Sequence, residues 1–186
     1  MESKNKTDTE LISMMTDSSQ QEKGYRLLLS KYQERLYMVI RRIVLNHGDA
    51  DDVFQNTMIK VFNNIHRFEQ KASLFTWMYK IASNEALSFL RVNKRVNNED
   101  GSMPMQVAEQ ILAADQYFEG DMLQLELMKA VAALPEKQRE VFQLKYFDNM
   151  KYGEMSKMLD LTEGALKASY FHAVKKIETH IKNINI

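Results

Sequence analysis

Cysteine is absent from this 186-residue sequence, and proline occurs only twice. Without cysteine the chain has no disulfide framework, thiolate metal site or cysteine nucleophile, a composition that suits a reducing cytoplasm. No stretch approaches the roughly 18 uninterrupted apolar residues of a membrane span, and the polar start MESKNKTDTE lacks the apolar core of a secretion signal. We therefore expect a soluble, cytoplasmic protein with no membrane insertion.

Sequence motifs of enzymes and of cofactor sites are missing as well. The chain contains no phosphate-binding P-loop, dinucleotide fingerprint, hydrolase nucleophile elbow or zinc-protease helix. Its four histidines, at positions 47, 66, 172 and 180, do not pair with one another at the spacing of metal ligands on a helix. The sequence thus predicts no enzymatic activity, no metal site and no cofactor.

Charge is zero overall but is unevenly distributed along the chain. Residues 1–95 carry 15 lysines and arginines against 11 acidic residues, whereas residues 96–121 carry six acidic residues and no basic one. Residues 122–186 carry ten basic residues against eight acidic ones, and residues 60–95 carry seven against two. A chain that is neutral as a whole can therefore still bind nucleic acid through its basic segments.

Helical periodicity dominates the sequence, and no run alternates convincingly as a strand. One predicted helix covers residues 21–45 and ends at Asn46-His47-Gly48, and the next opens near Asp49. The segment 97–121, which contains two glycines and a proline, is predicted to be an acidic linker with at most one short helix. We predict an all-α fold of two helical domains, residues 1–96 and 122–186, joined by the acidic linker 97–121.

A predicted helix within residues 72–91 combines an apolar arc with a polar face that suits nucleic-acid binding. Lysine and arginine neutralise phosphates, and an asparagine amide can both donate to a base and accept from it. The candidate contacts, on this face or just before the helix start at Ser73, are Arg67, Phe68, Lys71, Ser73, Lys80, Asn84 and Arg91. The alternative is an ordinary amphipathic helix whose polar face is solvated. Trp77 borders the apolar arc and is predicted to pack in the core. The carboxylate of Glu85 is predicted to point toward the same arc, and the sequence pattern does not explain an acidic residue there.

Residues 134–177 have the order of short helix, tight turn and long helix that is typical of a helix-turn-helix. Pro135 is predicted to be the first residue of one helix, and a short helix is predicted from Tyr152 to Leu159 after the turn at residues 148–150. A long helix follows Thr162, its predicted N-cap. On its outward face Glu163, Lys167, Ala168 and Phe171 are placed to contact bases, Lys175 and Lys176 to reach phosphates, and His172 lies beside them. The alternative is a plain three-helix bundle.

Taken in order, these segments resemble the sigma-70 family of bacterial transcription initiation factors. The resemblance is to the small extracytoplasmic-function (ECF) group, which keeps only regions 2 and 4, and it covers nearly the whole chain. Residues 50–62, ADDVFQNTMIKVF, resemble region 2.2, and residues 67–91, beginning RFEQKASLFTWMYKIASNEAL, resemble regions 2.3 and 2.4. Residues 134–177 resemble region 4.

This resemblance implies a protein that binds core RNA polymerase and directs promoter recognition and melting without catalysing a reaction. Asp52, Gln55 and Asn56 would dock on the clamp helices of the beta-prime subunit, and the beta flap would be a second contact. The loop from Arg67 to Ser73 and Asn84 would capture the minus-10 element, with Lys80, Arg91, Lys94 and Arg95 on the DNA backbone. The face from Thr162 to Lys176 would read the minus-35 element as duplex.

The acidic linker, by the same resemblance, would thread the polymerase cleft toward the RNA path; the alternative is a solvated tether. An anti-sigma factor is a further partner that the resemblance allows. Some residues depart from the family pattern. The family usually has Glu at the position of Asn56, Trp at that of Phe62, and often Arg at those of Ser169, His172 and Val174. Minus-35 binding would then depend more on apolar contacts such as Phe171 with a thymine methyl group.

Two other functional classes remain open from the sequence. A free-standing helix-turn-helix regulator, whose N-terminal helices dimerise or sense a ligand, would bind a palindromic operator by itself. A helical adaptor without DNA contact would agree with the neutral charge but would leave both basic faces unused.

Overall fold

Nine α-helices and a short 3₁₀ helix build the part of the chain that the computed structural model describes, residues 6–97 and 99–184. They are α1 (Asp8–Thr16), α2 (Gln21–Val44), α3 (His47–Asn64), the 3₁₀ helix (Ile65–Arg67), α4 (Leu74–Val92), α5 (Met105–Ala113), α6 (Met122–Ala132), α7 (Glu136–Tyr146), α8 (Tyr152–Leu159) and α9 (Glu163–Lys182). They divide into two compact units, Met1–Phe89 and Leu90–Ile186. The predicted all-α fold with two helical domains is confirmed. None of the described helices is long and apolar enough to cross a membrane.

The first unit has its core between α2, α3 and α4. Buried side chains come from all three helices: Leu28, Leu36, Ile40, Val53, Met58, Val61, Leu74, Met78 and Ala82. On α4 the buried face also includes Phe75, Tyr79 and Ala86, so it is rotated relative to the arc that the sequence predicted but shares Leu74, Met78 and Ala82 with it. Because of this rotation of the buried face, Trp77 lies at the border of the core and is only partly buried.

The break between α2 and α3 is shorter than predicted. Leu45 has the left-handed backbone conformation, with φ of 67°, and its N–H donates to the carbonyl of Arg41, which ends α2. Asn46 then caps α3, because its side-chain oxygen accepts a hydrogen bond from the Asp49 N–H at 3.1 Å. This cap lets α3 begin at His47, two residues before the predicted start.

Asp8 of α1 connects three helices of the first unit. Its Oδ1 accepts hydrogen bonds from Lys31 Nζ at 2.8 Å and from Tyr32 Oη at 2.5 Å, both on α2. The backbone of Leu74, at the start of α4, also acts to lower the pKa of this carboxyl. Burial by itself raises the pKa of Asp8, but the hydrogen bonds and the charge of Lys31 outweigh it, so the pKa lies below its ordinary value.

Asp8→Asn is expected to lower the free energy of unfolding of the first unit by about 1 kcal/mol at neutral pH, because hydrogen bonds to a charged acceptor are replaced by weaker ones. Since the folded-state pKa is depressed, this contribution is complete above the unfolded pKa of about 3.9 and is lost as pH falls through the folded value. The difference from the unsubstituted chain should therefore shrink as the pH falls below the unfolded pKa of about 3.9. Urea unfolding followed by the fluorescence of Trp77, the single tryptophan, measures this unit. Glu34→Gln, which removes an exposed carboxylate of α2, is the control. Identical unfolding of Asp8→Asn and the unsubstituted chain at neutral pH would contradict the assigned role.

The second unit has its core between α6, α7 and α9. Six buried residues form one apolar cluster: Ala130, Val131, Leu134, Phe142, Ala173 and Ile177. The side of the long C-terminal helix opposite its predicted outward face meets this cluster, since Tyr170, Val174 and Ile181 also pack against it. Tyr152–Leu159 is helical as predicted, and Thr162 is the N-cap of α9. Pro135 lies one residue outside α7 as its N-cap, because its ψ of 144° is extended rather than helical.

The segment predicted as an acidic linker contains one helix, α5, and packs on the second unit. Met103 is buried, and its N–H donates to the carbonyl of Ala132 at 2.9 Å. Leu112 of α5 is buried too, and Glu109 pairs with Lys129 of α6 at 3.1 Å. The boundaries 1–96, 97–121 and 122–186 remain predictions.

Arg139 of α7 is a buried guanidinium that ties this segment to the turn between α6 and α7. Its nitrogens donate to the carbonyls of Ala132 at 3.0 Å, Leu134 at 3.4 Å and Gly101 at 3.0 Å. Burial lowers the pKa of Arg139, opposed by the nearby carboxylates of Glu136 and of others around it. A buried charge is stable only with such partners, so the start of the segment is held by specific contacts.

Candidate nucleic-acid interface

The outward face of α3 carries the three residues predicted to dock on polymerase. Asp52, Gln55 and Asn56 are all exposed, while Val53 on the opposite face is buried. Ile59 lies on the same outward face with 57% of its surface exposed. An exposed aliphatic side chain among polar ones resembles the centre of a protein interface, a feature that the sequence reasoning missed.

A groove of about 340 Å³ lies between α3 and α4 in the first unit. The residues that line it are Lys60, Asn64, Arg67, Trp77, Ile81, Asn84 and Glu85. The sequence predicts Arg67 and Asn84 as DNA contacts, and the structure brings them to one groove. Its lining therefore combines cations, amides and an indole ring, the groups that hold single-stranded nucleic acid.

Trp77 is part of this groove, and the prediction that it packs in the core is corrected. Its ring centroid lies 5.4 Å from that of Phe68, with the planes tilted by 44°. Because Phe75 and Tyr79 occupy the core face of α4, Trp77 is only partly buried. Phe68, a predicted DNA contact in the loop before α4, thus supports an aromatic ring within the groove.

Glu85, which the sequence left unexplained, forms an ion pair across the groove. Its Oε1 lies 2.5 Å from Nζ of Lys60 on α3, and the Glu85 side chain is 20% exposed. Lys60 and Glu85 are 25 residues apart, so no helical spacing could have connected them. The pair places a donor and an acceptor side by side in the groove.

The other residues predicted to contact the minus-10 element lie at different places outside the groove. Ser73 caps α4, since its Oγ accepts from the Thr76 N–H at 3.1 Å. Lys71 is highly exposed and pairs with Glu69, and Lys80 is exposed on α4. Neither lysine lines the groove. The remaining three, Arg91, Lys94 and Arg95, belong to the second unit.

Arg91 is engaged within the second unit. One of its guanidinium nitrogens lies 2.6 Å from Oε2 of Glu136, at the start of α7. The arginine side chain is 54% exposed, so solvent screens the pair and its net stabilisation is small. A phosphate could therefore replace Glu136 as the partner of Arg91 at low cost.

The predicted recognition face of α9 is at the surface. Lys167, Ala168, Phe171, His172 and Lys175 are exposed, and Phe171 has 58% of its surface accessible. Glu163 and Lys176 are exposed as well, and Thr162 Oγ1 accepts from the Ala165 N–H at 3.2 Å. Periodicity thus predicted correctly which side of α9 faces outward.

Two lysines flank the ring of Tyr152, at the start of α8. Lys145 Nζ lies 5.1 Å from the ring centroid and Lys167 Nζ lies 5.6 Å from it. Lys167 also lies 3.5 Å from a carboxylate oxygen of Glu163. These contacts hold both ammonium groups beside the Tyr152 ring, next to the predicted recognition face of α9. The described residues contain no group of side chains that could hold a metal ion.

Comparison with known proteins connects both units to one family. The family profile described as Sigma-70 region 2 matches residues 28–96, and the profile described as Sigma-70, region 4 matches residues 124–177. The ECF RNA polymerase sigma-E factor of Haemophilus influenzae is 28% identical over 185 residues, which is 95% of this chain and 96% of that protein. The factor of the same name from Escherichia coli K12 is 24% identical over 190 residues, covering 95% of each.

Two solved structures share the fold. The first is CnrH in complex with the cytosolic domain of CnrY, with a TM-score of 0.65, 17% identity, and coverage of 94% of this chain and 97% of that one. The second is the sigma factor RpoE in complex with the anti-sigma factor NepR from Bartonella quintana, with a TM-score of 0.62, 21% identity, and coverage of 87% and 98%.

Both family profiles, in this order, span well over half of the sequence; most of the first falls on the unit that contains the groove, and the second falls on the unit that contains the helix-turn-helix. The chain belongs to the sigma-70 family of transcription initiation factors, in its extracytoplasmic-function group.

Proposed function

We propose that this chain binds core RNA polymerase, directs it to a subset of promoters and opens the DNA there, without catalysing a reaction itself. The observation that carries the proposal is the groove of the first unit, in which Arg67, Trp77 and Asn84 meet. A cation, an aromatic face and an amide are the groups that can hold a base once it has left the duplex.

Polymerase docking is assigned to the outward face of α3. Asp52, Gln55 and Asn56 are the polar contacts with the clamp helices of the beta-prime subunit, and Ile59 is the apolar contact among them. The usual family Glu is replaced by Asn56, so the charge at this face is smaller, and the exposed Ile59 supplies apolar area instead. The beta flap is the second proposed contact on the polymerase.

Strand capture is assigned to the groove and to the loop before α4. Phe68 and Trp77 present an aromatic surface on which an unstacked base can lie, and Asn84 can hydrogen-bond to a base edge. Lys71, Lys80, Arg91, Lys94 and Arg95 are proposed to neutralise phosphates of the minus-10 segment. A protein that holds an unpaired base in this way offsets a few kcal/mol of the cost of opening the duplex.

Duplex recognition of the minus-35 element is assigned to α9. Glu163, Lys167, Ala168 and Phe171 are proposed to reach base edges, with Thr162, His172, Lys175 and Lys176 at their flanks. An aromatic ring that is 58% exposed, as in Phe171, suits an apolar contact with a thymine methyl group.

The proposal also covers the path of the acidic segment, an anti-sigma factor as a partner, and the location of the protein. For residues 97–121 to follow the polymerase cleft toward the RNA path, their contacts with Arg139 and Ala132 must open. An anti-sigma factor is a proposed partner, since RpoE, which shares the fold, is bound to the anti-sigma factor NepR, and CnrH is bound to the cytosolic domain of CnrY. The cytoplasm, where polymerase and promoter meet, is the proposed location.

Strand opening by the reconstituted holoenzyme tests the whole proposal. Core polymerase plus this chain should make thymines just upstream of the start site reactive to permanganate, and neither component alone should do so. A free-standing regulator would behave differently, because it recognises its operator as duplex. Tight binding of the chain alone to a palindrome, with no permanganate-reactive bubble after core enzyme is added, would establish the regulator and exclude the sigma-factor mechanism.

Lys167→Ala and Phe171→Ala are expected to reduce promoter-dependent transcription in different ways. Lys167 brings a positive charge next to the duplex phosphates in addition to its proposed base contact, so its loss should lower the slope of log affinity against log salt by about one unit, whereas loss of the uncharged Phe171 should only relax sequence preference within the minus-35 element. Competition binding of holoenzyme to duplex promoters at several salt concentrations measures both effects. Lys182→Ala, at the far end of α9, is the control. If both recognition-face variants keep the original salt slope and preference, α9 does not read the duplex through this face.

A further inference from the structure

Glu85 is an acidic side chain in a groove whose other charged residues are cations. A carboxylate repels phosphate, so it weakens the nonspecific attraction of a groove for nucleic acid. Its side chain is 20% exposed, which leaves it accessible to a group that enters the groove. A carboxylate in this position favours a ligand that carries a hydrogen-bond donor.

Lys60 holds the Glu85 carboxylate in place and adds a hydrogen-bond donor beside this acceptor. The ammonium group, 2.5 Å from Glu85 Oε1, can only donate hydrogen bonds, whereas the ionised carboxylate can only accept them. An acceptor next to a donor matches the edge of cytosine, where the N4 amino group adjoins the N3 acceptor. It also matches adenine, where the N6 amino group adjoins N1. Thymine and guanine present a carbonyl oxygen and an N–H in the reverse order.

We propose that Glu85, positioned by Lys60, selects an amino-bearing base, cytosine or adenine, at one position of the melted strand. This inference rests on the proposed function of the groove. Trp77 lines the same groove and is partly exposed, so its ring can stack on the plane of the base, and Asn84 lies at the position of α4 that precedes Glu85. A keto base could satisfy the pair only by exchanging its two edge groups, and the fixed direction of the bound strand opposes that exchange. Glu85 thereby determines specificity, while the cations supply affinity.

Selection from a randomised template tests the proposal with holoenzyme. The template carries a pre-formed bubble, and both the unpaired segment and the upstream duplex are random in sequence. Holoenzyme with the unsubstituted chain should enrich cytosine or adenine over thymine and guanine by about tenfold or more at one unpaired position. Which of the two bases is enriched identifies the ligand. Glu85→Gln should reduce this preference to about twofold or less, because an amide both donates and accepts.

Two further measurements distinguish base specificity from the effect of removing a negative charge and from a folding defect of the Glu85→Gln variant. Glu34→Gln removes an exposed carboxylate of α2 outside the groove, and it should leave the enrichment at every position unchanged. In the selected template, the enriched base is also replaced by its analogue without the amino group, 2-pyrimidinone for cytosine or purine for adenine. With the unsubstituted chain this deletion should weaken binding about tenfold, whether or not Glu85→Gln folds.

The possible failures are distinguishable. If holoenzyme enriches no sequence in the unpaired segment, the proposed strand capture is wrong and the role of Glu85 falls with it. If the unsubstituted chain selects bases but Glu85→Gln, folded by circular dichroism, selects them identically, only the role of Glu85 is wrong. Full binding to the amino-deleted template overturns the same inference.

Discussion

Replacing Asp52 and Gln55 together with alanine is expected to weaken association with core RNA polymerase by roughly thirtyfold, since each polar interface residue can contribute about 1 kcal/mol or more. Both side chains lie on the outward face of α3, opposite the buried Val53 and Val61. Their removal should therefore leave the helical core intact. Titration of labelled core enzyme with the variant measures the affinity, and the far-ultraviolet circular dichroism should stay unchanged.

The matched control for this docking variant lies on α2. Gln33 and Glu34 are an adjacent amide and carboxylate, both exposed in the same unit. Replacing these two with alanine removes the same chemical groups elsewhere on the surface, so core affinity should remain within about twofold. Unaltered binding of core enzyme by the Asp52 and Gln55 variant would exclude these two polar side chains as docking contacts. A single replacement, Ile59→Ser, would then show whether the apolar part of that face has any role.

Asn84→Ala combined with Lys71→Ala is expected to reduce promoter opening by roughly tenfold to a hundredfold on a duplex promoter, because the base hydrogen bond of Asn84 and the phosphate contact of Lys71 are both lost, at about 1–3 kcal/mol together. Asn84 lines the groove, and Lys71 is exposed in the loop before α4. The pairing of Lys71 with Glu69 does not oppose this role, because both side chains are largely solvated and such pairs are weak. Permanganate reactivity of unpaired thymines measures the opening.

A pre-melted template separates strand capture from polymerase docking. Because a bubble removes much of the cost of unpairing, the Asn84 and Lys71 variant should recover part of its activity on it. The Asp52 and Gln55 variant should recover none, since its defect precedes contact with DNA. Lys23→Ala, which removes an exposed positive charge on α2, should behave like the unsubstituted chain on both templates. Equal defects of the Asn84 and Lys71 variant on duplex and bubble would mean that these residues do not act in opening.

Local pattern was sufficient for the features that depend on one helix at a time. The outward and inward sides of α9 follow from a 3.6-residue period, since Leu166, Ala173 and Ile177 are buried and Lys167 and Phe171 are exposed. The short α8 and the capping role of Thr162 were also predicted, because turn and cap preferences act over only a few residues.

The orientation of α4 and the start of α3 depend on packing between helices and on backbone geometry, which the pattern of a single helix does not report. The sequence arc on α4 suggested that Trp77 is a core residue, but Phe75 and Tyr79 are buried instead, with the Phe75 ring stacked on Tyr32 of α2, and Trp77 lines the groove. The helix α3 also begins earlier than the sequence predicted, because the left-handed Leu45 and the cap at Asn46 depend on backbone geometry that periodicity does not report.

The sequence by itself determined the helical character of the chain, the two units with a basic, aromatic-rich segment in the first, and the exposed face of α9. Only the tertiary structure decided that Lys60 reaches Glu85 across 25 residues, and that Arg139 binds the carbonyl of Gly101, 38 residues away. The physical reason is that hydrophobic periodicity encodes which side of a helix is buried, whereas the register of two packed helices depends on the complementary shapes of many side chains at once. Polar partners that meet across such a contact are consequences of that register, and no spacing along the chain records them.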